Sequence, residues 1–140
     1  MSERLDHVGL NVANLAASQR WYAAAFGYVT ELVARVDAID LDIVMLVHPE
    51  HGDRLELLHR ARSRPGLRAA NPAEAALTHG LGHVAFDVQG LGPTFDRLLG
   101  LGARAVMEPQ PSPEAGVRMA FVADPEGNLV ELLDRSGGAE

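Results

Sequence analysis

At 140 residues and 47% hydrophobic content, the chain has enough apolar material for one well-buried core and too little length for two ordinary domains. A formal charge of −7 with no offsetting basic patch argues against nucleic acid or an anionic membrane surface as partner. Cysteine and lysine are both missing, which excludes disulfides, thiolate metal sites, a cysteine nucleophile and Schiff-base chemistry, and leaves imidazole and carboxylate as the metal-ligating groups.

The first periodic segment, Leu5 to Val12, alternates, with Val8, Leu10 and Val12 on one face and His7, Gly9 and Asn11 on the other, so it predicts a strand. Asn14 is a helix cap, Leu15, Tyr22, Ala25 and Phe26 recur at helical spacing, and Gly27 is a stop. Three β-type runs follow at Tyr28 to Asp37, Leu41 to His48 and Arg54 to His59. Arg60 to Gly80 breaks the pattern with arginine, proline and glycine and a short alanine-rich piece of a helical turn or two, and reads as a linker. The order then restarts. Gly82 to Val88 alternates, and Pro93 opens a helix carrying Phe95, Leu98 and Leu99 that Gly100 and Gly102 end. Strands are predicted at Ala103 to Met107, Val117 to Ala123 and Leu129 to Leu133, with a proline-rich loop from Pro109 to Pro113 and a turn at Asp124 to Asn128.

Each half therefore reads βαβββ, and residues repeat along with elements. His83 stands 76 residues after His7, and Glu131 stands 75 after Glu56, within the similar phrases Leu55-Glu56-Leu57-Leu58 and Val130-Glu131-Leu132-Leu133. Such a repeat is the mark of duplication, and two like modules that each curl around a cleft would share one cavity. The expectation is a single domain over 1–140, with module 1 about 4–60, a linker at 61–80 and module 2 about 81–135.

In each module a histidine on the first strand is matched by a glutamate on the last, both on the less apolar face. A lone strand histidine is usually a hydrogen-bonded structural residue and a lone strand glutamate a solvated one. Finding both types twice at matching offsets favours a functional set. Four such groups facing a cavity call for a compensating cation, and two imidazoles with two carboxylates suit a divalent ion such as Zn, Ni, Co, Mn or Fe. His48, His51 and His79 border loops without repeat partners, and His59 lies on the face opposite Glu56, so structural or solvent roles are expected for them. Asp42 interrupts an apolar run on the face of Val44 and Leu46 and is expected to point toward the cavity; the alternative is a salt bridge to Arg118 or Arg54.

The phrases Leu5-Asp6-His7-Val8-Gly9-Leu10-Asn11-Val12, Leu55-Glu56-Leu57, Gly82-His83-Val84-Ala85-Phe86-Asp87-Val88 and Asp124-Pro125-Glu126-Gly127-Asn128-Leu129-Val130-Glu131-Leu132 resemble the vicinal oxygen chelate superfamily. That group spans glyoxalase I, methylmalonyl-CoA epimerase, extradiol dioxygenases and the fosfomycin and bleomycin resistance proteins. The resemblance implies an α+β fold, two βαβββ modules in tandem forming a cupped mixed sheet, and metal ligands at His7, Glu56, His83 and Glu131. The His, Glu, His, Glu set is similar to bacterial glyoxalase I. Epimerases carry glutamine where Glu56 stands, and extradiol dioxygenases use three ligands. Two departures, Asn11 for an arginine and Arg60 for an asparagine, fall where glyoxalase I holds glutathione.

By the same resemblance Glu131 is the expected catalytic base, with Asp42 at the place of the epimerases' catalytic glutamate as a second candidate. The expected function is a metal-dependent, glyoxalase-like lyase or isomerase that moves a proton next to a metal-bound carbonyl of a small substrate. Alternatives are an antibiotic- or natural-product-sequestering resistance protein, which the low aromatic content disfavours, and an extradiol-type dioxygenase. No apolar run nears the ~20 residues needed to cross a bilayer. The N-terminus lacks a basic region followed by an apolar stretch, so a cytoplasmic protein is expected. Open sheet edges and the habit of the superfamily predict a homodimer.

Overall fold

The computed structural model describes residues 1–137, so the last three residues of the expected 1–140 domain lie outside the described residues. The chain forms two compact units, Met1–Arg64 and Pro65–Glu140. In the first, β1 (Val8–Asn11) is followed by α1 (Leu15–Phe26), β2 (Val29–Val36), a 3₁₀ turn at Asp37–Ile39, β3 (Leu41–Val47) and β4 (Arg54–His59). In the second, a short α2 (Pro72–Ala75) precedes β5 (Val84–Asp87), α3 (Leu91–Gly100), β6 (Arg104–Pro111), β7 (Arg118–Ala123) and β8 (Leu129–Asp134). Among the described residues no helix is long and apolar enough to cross a membrane.

Each unit has one four-stranded mixed sheet, in the orders β1-β4-β3-β2 and β5-β8-β7-β6. The first and last strands of each module pair in parallel and the others antiparallel. A parallel partner requires a crossover, which α1 and α3 begin. Asn14 caps α1 by accepting from the Ala17 N–H at 2.9 Å, and Gly27 ends it at φ 79°, a conformation glycine adopts without a Cβ penalty. In unit 1 the apolar face of the sheet presents Val44, Leu46, Leu55 and Leu57, all buried, on the side where α1 contributes Trp21, Tyr22 and Ala25. In unit 2, Leu91, Phe95 and Leu98 lie at i, i+4 and i+7 on α3 and are buried with Val122, Val130 and Leu132.

Two expectations are corrected. The segment 109–113 is not simply a loop, because β6 runs through Pro109 to Pro111, with register irregularities between Ala105 and Gln110. Proline is accommodated there because β6 is the edge strand and needs hydrogen bonds on one side only. The stretch after Arg64 is also more than a connector. Ala69 and Ala75 are buried against Phe121 and Leu129 of unit 2, with Asn71 capping α2 through the Glu74 N–H at 2.8 Å.

Unit 2 is further tied by Asp134. Its carboxylate accepts from the Ser136 hydroxyl and N–H, and also from backbone groups of Leu91 and Gly90 at the start of α3, where Gly90 has no capping side chain of its own. These bonds, chiefly those from Ser136, hold the carboxyl below its ordinary 3.8. Stabilisation from Asp134 is therefore fully present above that ordinary value and is lost as pH falls through the lowered one. Asp134→Ala is expected to cost about 1–2 kcal/mol in urea unfolding at neutral pH, with the gap from wild type closing in acid. A gap that stays constant through the acid range would contradict the capping role.

Candidate functional site

The register of the parallel pairs positions the candidate ligands. Gly9 lies opposite Glu56, and Ala85 lies opposite Glu131. Residues paired across a ladder share a face, and so do residues two apart on a strand. Glu56 therefore shares its face with Gly9 and Met45, opposite the helix-packed Leu55 and Leu57. His7, immediately before β1, reaches the same side: its Nε2 is 3.4 Å from Glu56 Oε1. In unit 2, Phe121 lies opposite Glu131, and His83 Nε2 is 3.1 Å from Glu131 Oε1. The His83 ring stands edge-on to Phe121, with centroids 5.3 Å apart.

Sequence-equivalent residues thus form the same imidazole–carboxylate pair in both modules. The two glutamates are sheltered, with side chains 21% and 14% exposed for Glu56 and Glu131. Among the described residues no group of three or more His, Asp or Glu side chains is gathered as a metal cluster, so one module by itself offers two donors.

The donor chemistry of each pair fits a borderline divalent ion, and unit 1 adds a supporting carboxylate. Asp6 Oδ2 is 2.7 Å from His7 Nδ1, which fixes the ring and leaves Nε2 facing Glu56. Ligating histidines are commonly held in this way by an outer carboxylate. The Asp6 hydrogen bond, aided by Glu56, raises the pKa of His7 above its ordinary 6.5, and the same bond lowers that of Asp6.

Asp42 is placed differently from expectation. It pairs across the ladder with His59 and Arg35, and shares its face with Val44 and Leu46. That is the helix-packed face, away from Glu56. Its carboxylate lies 3.0 Å from Arg35 Nη1, and Arg35 also binds Asp37 at 2.7 Å and Asp40 at 2.9 Å. A salt-bridge partner of Asp42 is therefore Arg35, while Arg54, one of the expected partners, grips Glu31 through Nε and Nη2.

The remaining histidines divide. His59 Nδ1 is 2.8 Å from the Val12 carbonyl, a structural tie between strand ends. His48 Nδ1 accepts the N–H groups of Glu50 and His51, and its ring stacks on that of His51. His79, expected in a structural or solvent role, lines a pocket of about 440 Å³ with His83, walled by Pro72 and Ala75. Packing of Ala69 and Ala75 against Phe121 and Leu129 brings this segment beside His83, and no sequence periodicity announces it.

A duplicated βαβββ fold bearing one His–Glu pair per module defines the class of protein. The chain belongs to the Glyoxalase/Bleomycin resistance protein/Dioxygenase superfamily, whose family model matches residues 4–132. It is 37% identical over 60 residues to a probable lactoylglutathione lyase of Synechocystis sp., covering 43% of this chain and 46% of that protein. It is 30% identical over 133 residues to biphenyl-2,3-diol 1,2-dioxygenase 3 of Rhodococcus globerulus, covering 94% of this chain and 63% of the relative. The match thus spans less than two thirds of either relative. A glyoxalase family protein from Enterococcus faecalis has the same fold, with a TM-score of 0.76 at 22% identity over 94% of this chain and 98% of that one.

The Asp6 contact is testable by itself. In NMR titration of metal-free protein, His7 is expected to titrate above its ordinary value, and Asp6→Asn to bring the midpoint down. An unchanged midpoint in that variant would show that Asp6 does not hold the protonated ring.

Proposed function

We propose that His7, Glu56, His83 and Glu131 together bind one divalent metal ion, and that the protein is a glyoxalase-like lyase or isomerase that moves a proton beside the carbonyl of a small substrate. The observation that carries this reading is the recurrence of the same Nε2···Oε1 pair at equivalent register positions in both modules, on the sheet face the helix leaves free. Since one module offers two donors, a complete set draws on both, which makes the two units one functional domain, from a single chain or from the two chains of a homodimer. Zn, Ni, Co, Mn and Fe all suit two imidazoles and two carboxylates. A cytoplasmic location belongs to the same proposal.

A bound divalent ion would act as Lewis acid toward the substrate carbonyl and so ease loss of a proton from the adjacent carbon. Glu131, the more sheltered carboxylate, would serve both as ligand and as base, accepting the proton from carbon and returning it, which requires it to come within hydrogen-bond reach of that carbon's proton. His83 is oriented by the edge of Phe121, and His7 by Asp6. Glu56 completes the donor set. Asp42 takes no part, being on the opposite face and bound to Arg35.

A second reading is extradiol-type ring cleavage, favoured by the match to the biphenyl-diol dioxygenase along most of this chain. It requires iron and dioxygen, and oxygen uptake with a catechol separates it from proton transfer.

Elemental analysis of protein purified without chelator is expected to find one divalent ion per complete site, with His83→Ala abolishing it and Glu131→Gln reducing metal content and turnover together. Full occupancy in His83→Ala would remove the ligand assignment. The hemithioacetal of methylglyoxal and glutathione is expected to be a poor substrate because of Asn11 and Arg60. A kcat/KM within the ~10⁴–10⁸ M⁻¹s⁻¹ range of committed enzymes would contradict that.

A further inference from the structure

Each sheet has a short outer strand of four residues, β1 or β5, and a long one of eight, β2 or β6. A long outer strand is a template for pairing with another chain unless something blunts it. β6 is blunted: Pro109 and Pro111 each lack an N–H donor, and its register breaks twice. β2 contains neither proline nor glycine, and from Leu32 to Val36 it runs in unbroken register with Met45 to Leu41.

The side chains of β2 leave it open as well. Val33 is 70% exposed on the helix side of the sheet, opposite Val44, and Leu32 is 53% exposed on the Glu56 side, opposite Met45. Val29 and Val36 are exposed too. Outer strands in soluble proteins are commonly guarded by charged side chains. Here both charges of β2 are drawn back onto their own chain, for Arg35 holds Asp37, Asp40 and Asp42, and Glu31 holds Arg54. The rim is left chiefly to valine and leucine.

The strand is also complementary to itself. Two copies of β2 paired antiparallel about a two-fold axis at Val33 set Val33 against Val33, Leu32 against Ala34, and Glu31, at the bulge that ends the regular stretch, against Arg35. Opposite charges then face each other in both halves, and no like charges meet, which would destabilise the ladder. Such a two-fold contact uses up the edge and so closes at two chains.

We propose that β2 is the contact between two copies of this chain, joined as antiparallel strands about a two-fold axis at Val33, with Leu32, Val33 and Val36 covered by the second copy. The sheet order β1-β4-β3-β2 puts this contact at the edge away from β1, beside which His7 and Glu56 stand. Three interstrand spacings, roughly 14 Å, separate the two edges. The interface therefore draws nothing from the metal assignment.

The chain contains no cysteine, so a single Val33→Cys reports on the contact directly. Residues facing each other across an antiparallel ladder have Cα atoms about 4.5–5.5 Å apart, within disulfide range. In glutathione redox buffer at micromolar protein, Val33→Cys is expected to become a disulfide-linked dimer. Leu101→Cys, exposed on unit 2, is the control for random collision and is expected to stay unlinked. Sedimentation equilibrium is expected to find a wild-type dimer with or without chelator, and to find dissociation roughly 10-fold or more easier in Val33→Lys, where two cations would meet at the axis. Cysteine is close to valine in size, so the cross-link does not hinge on how well Val33→Lys folds. A monomeric wild-type chain, cross-linking no faster than at Leu101, a dimer equally tight in a folded Val33→Lys, or oligomers growing beyond two would each overturn the proposal. Cross-linking that persists where metal binding fails removes the metal assignment and leaves the interface standing.

Discussion

The position of every candidate ligand depends on the parallel pairing that joins the first and last strands of each module. Parallel strands cannot be linked by a tight turn, so the intervening chain must leave the sheet as helix and return through two further strands. The glutamate then comes back beside the strand on which the histidine began. Because the side-chain period is two, the register Gly9 with Glu56 and Ala85 with Glu131 places both glutamates on the histidine side. A slip of one residue would bury them among the leucines. A Cβ at Gly9 would sit 3.8 Å from Glu56 Oε1 and 3.4 Å from Leu58, ordinary van der Waals contacts, and the equivalent position opposite Glu131 is alanine, Ala85.

The faces of each sheet consequently have different work. On one, leucine and valine meet the helix and supply the stabilising burial, each such side chain contributing about 1.5–3 kcal/mol. On the other, unit 1 places the Glu56 carboxylate of β4 beside the His7 imidazole that precedes β1. Unit 2 covers the corresponding face in part with Ala69 and Ala75 and leaves a pocket beside His83.

Much of this was legible because it depends on local pattern. Alternation marked β1 and β5, while Asn14 and Gly27 marked the ends of α1 through capping chemistry that acts over three residues. The repeat marked the two His–Glu pairs, since equivalent residues in duplicated modules inherit equivalent register. What alternation does not state is which face a helix will cover. Asp42 was assigned to a cavity because it shares a face with Val44 and Leu46, but that apolar face is the helix side. Its partner Arg35 is found only through the β2–β3 register, which shifts at a bulge between Thr30 and Leu32. Pro109 and Pro111 read as loop because edge position is a property of the sheet and not of the local sequence. The burial of Ala69 and Ala75 likewise depends on Phe121 and Leu129, far along the chain.

The central claim is that the two His–Glu pairs serve one metal ion. It is tested most directly by X-ray absorption at the metal edge on protein loaded with Ni or Zn. The account predicts a single metal environment with two imidazole nitrogens and carboxylate oxygens, and loss of one imidazole in either His7→Ala or His83→Ala. Two ions per pair of modules, each with one imidazole, would contradict it, as would a first shell without histidine.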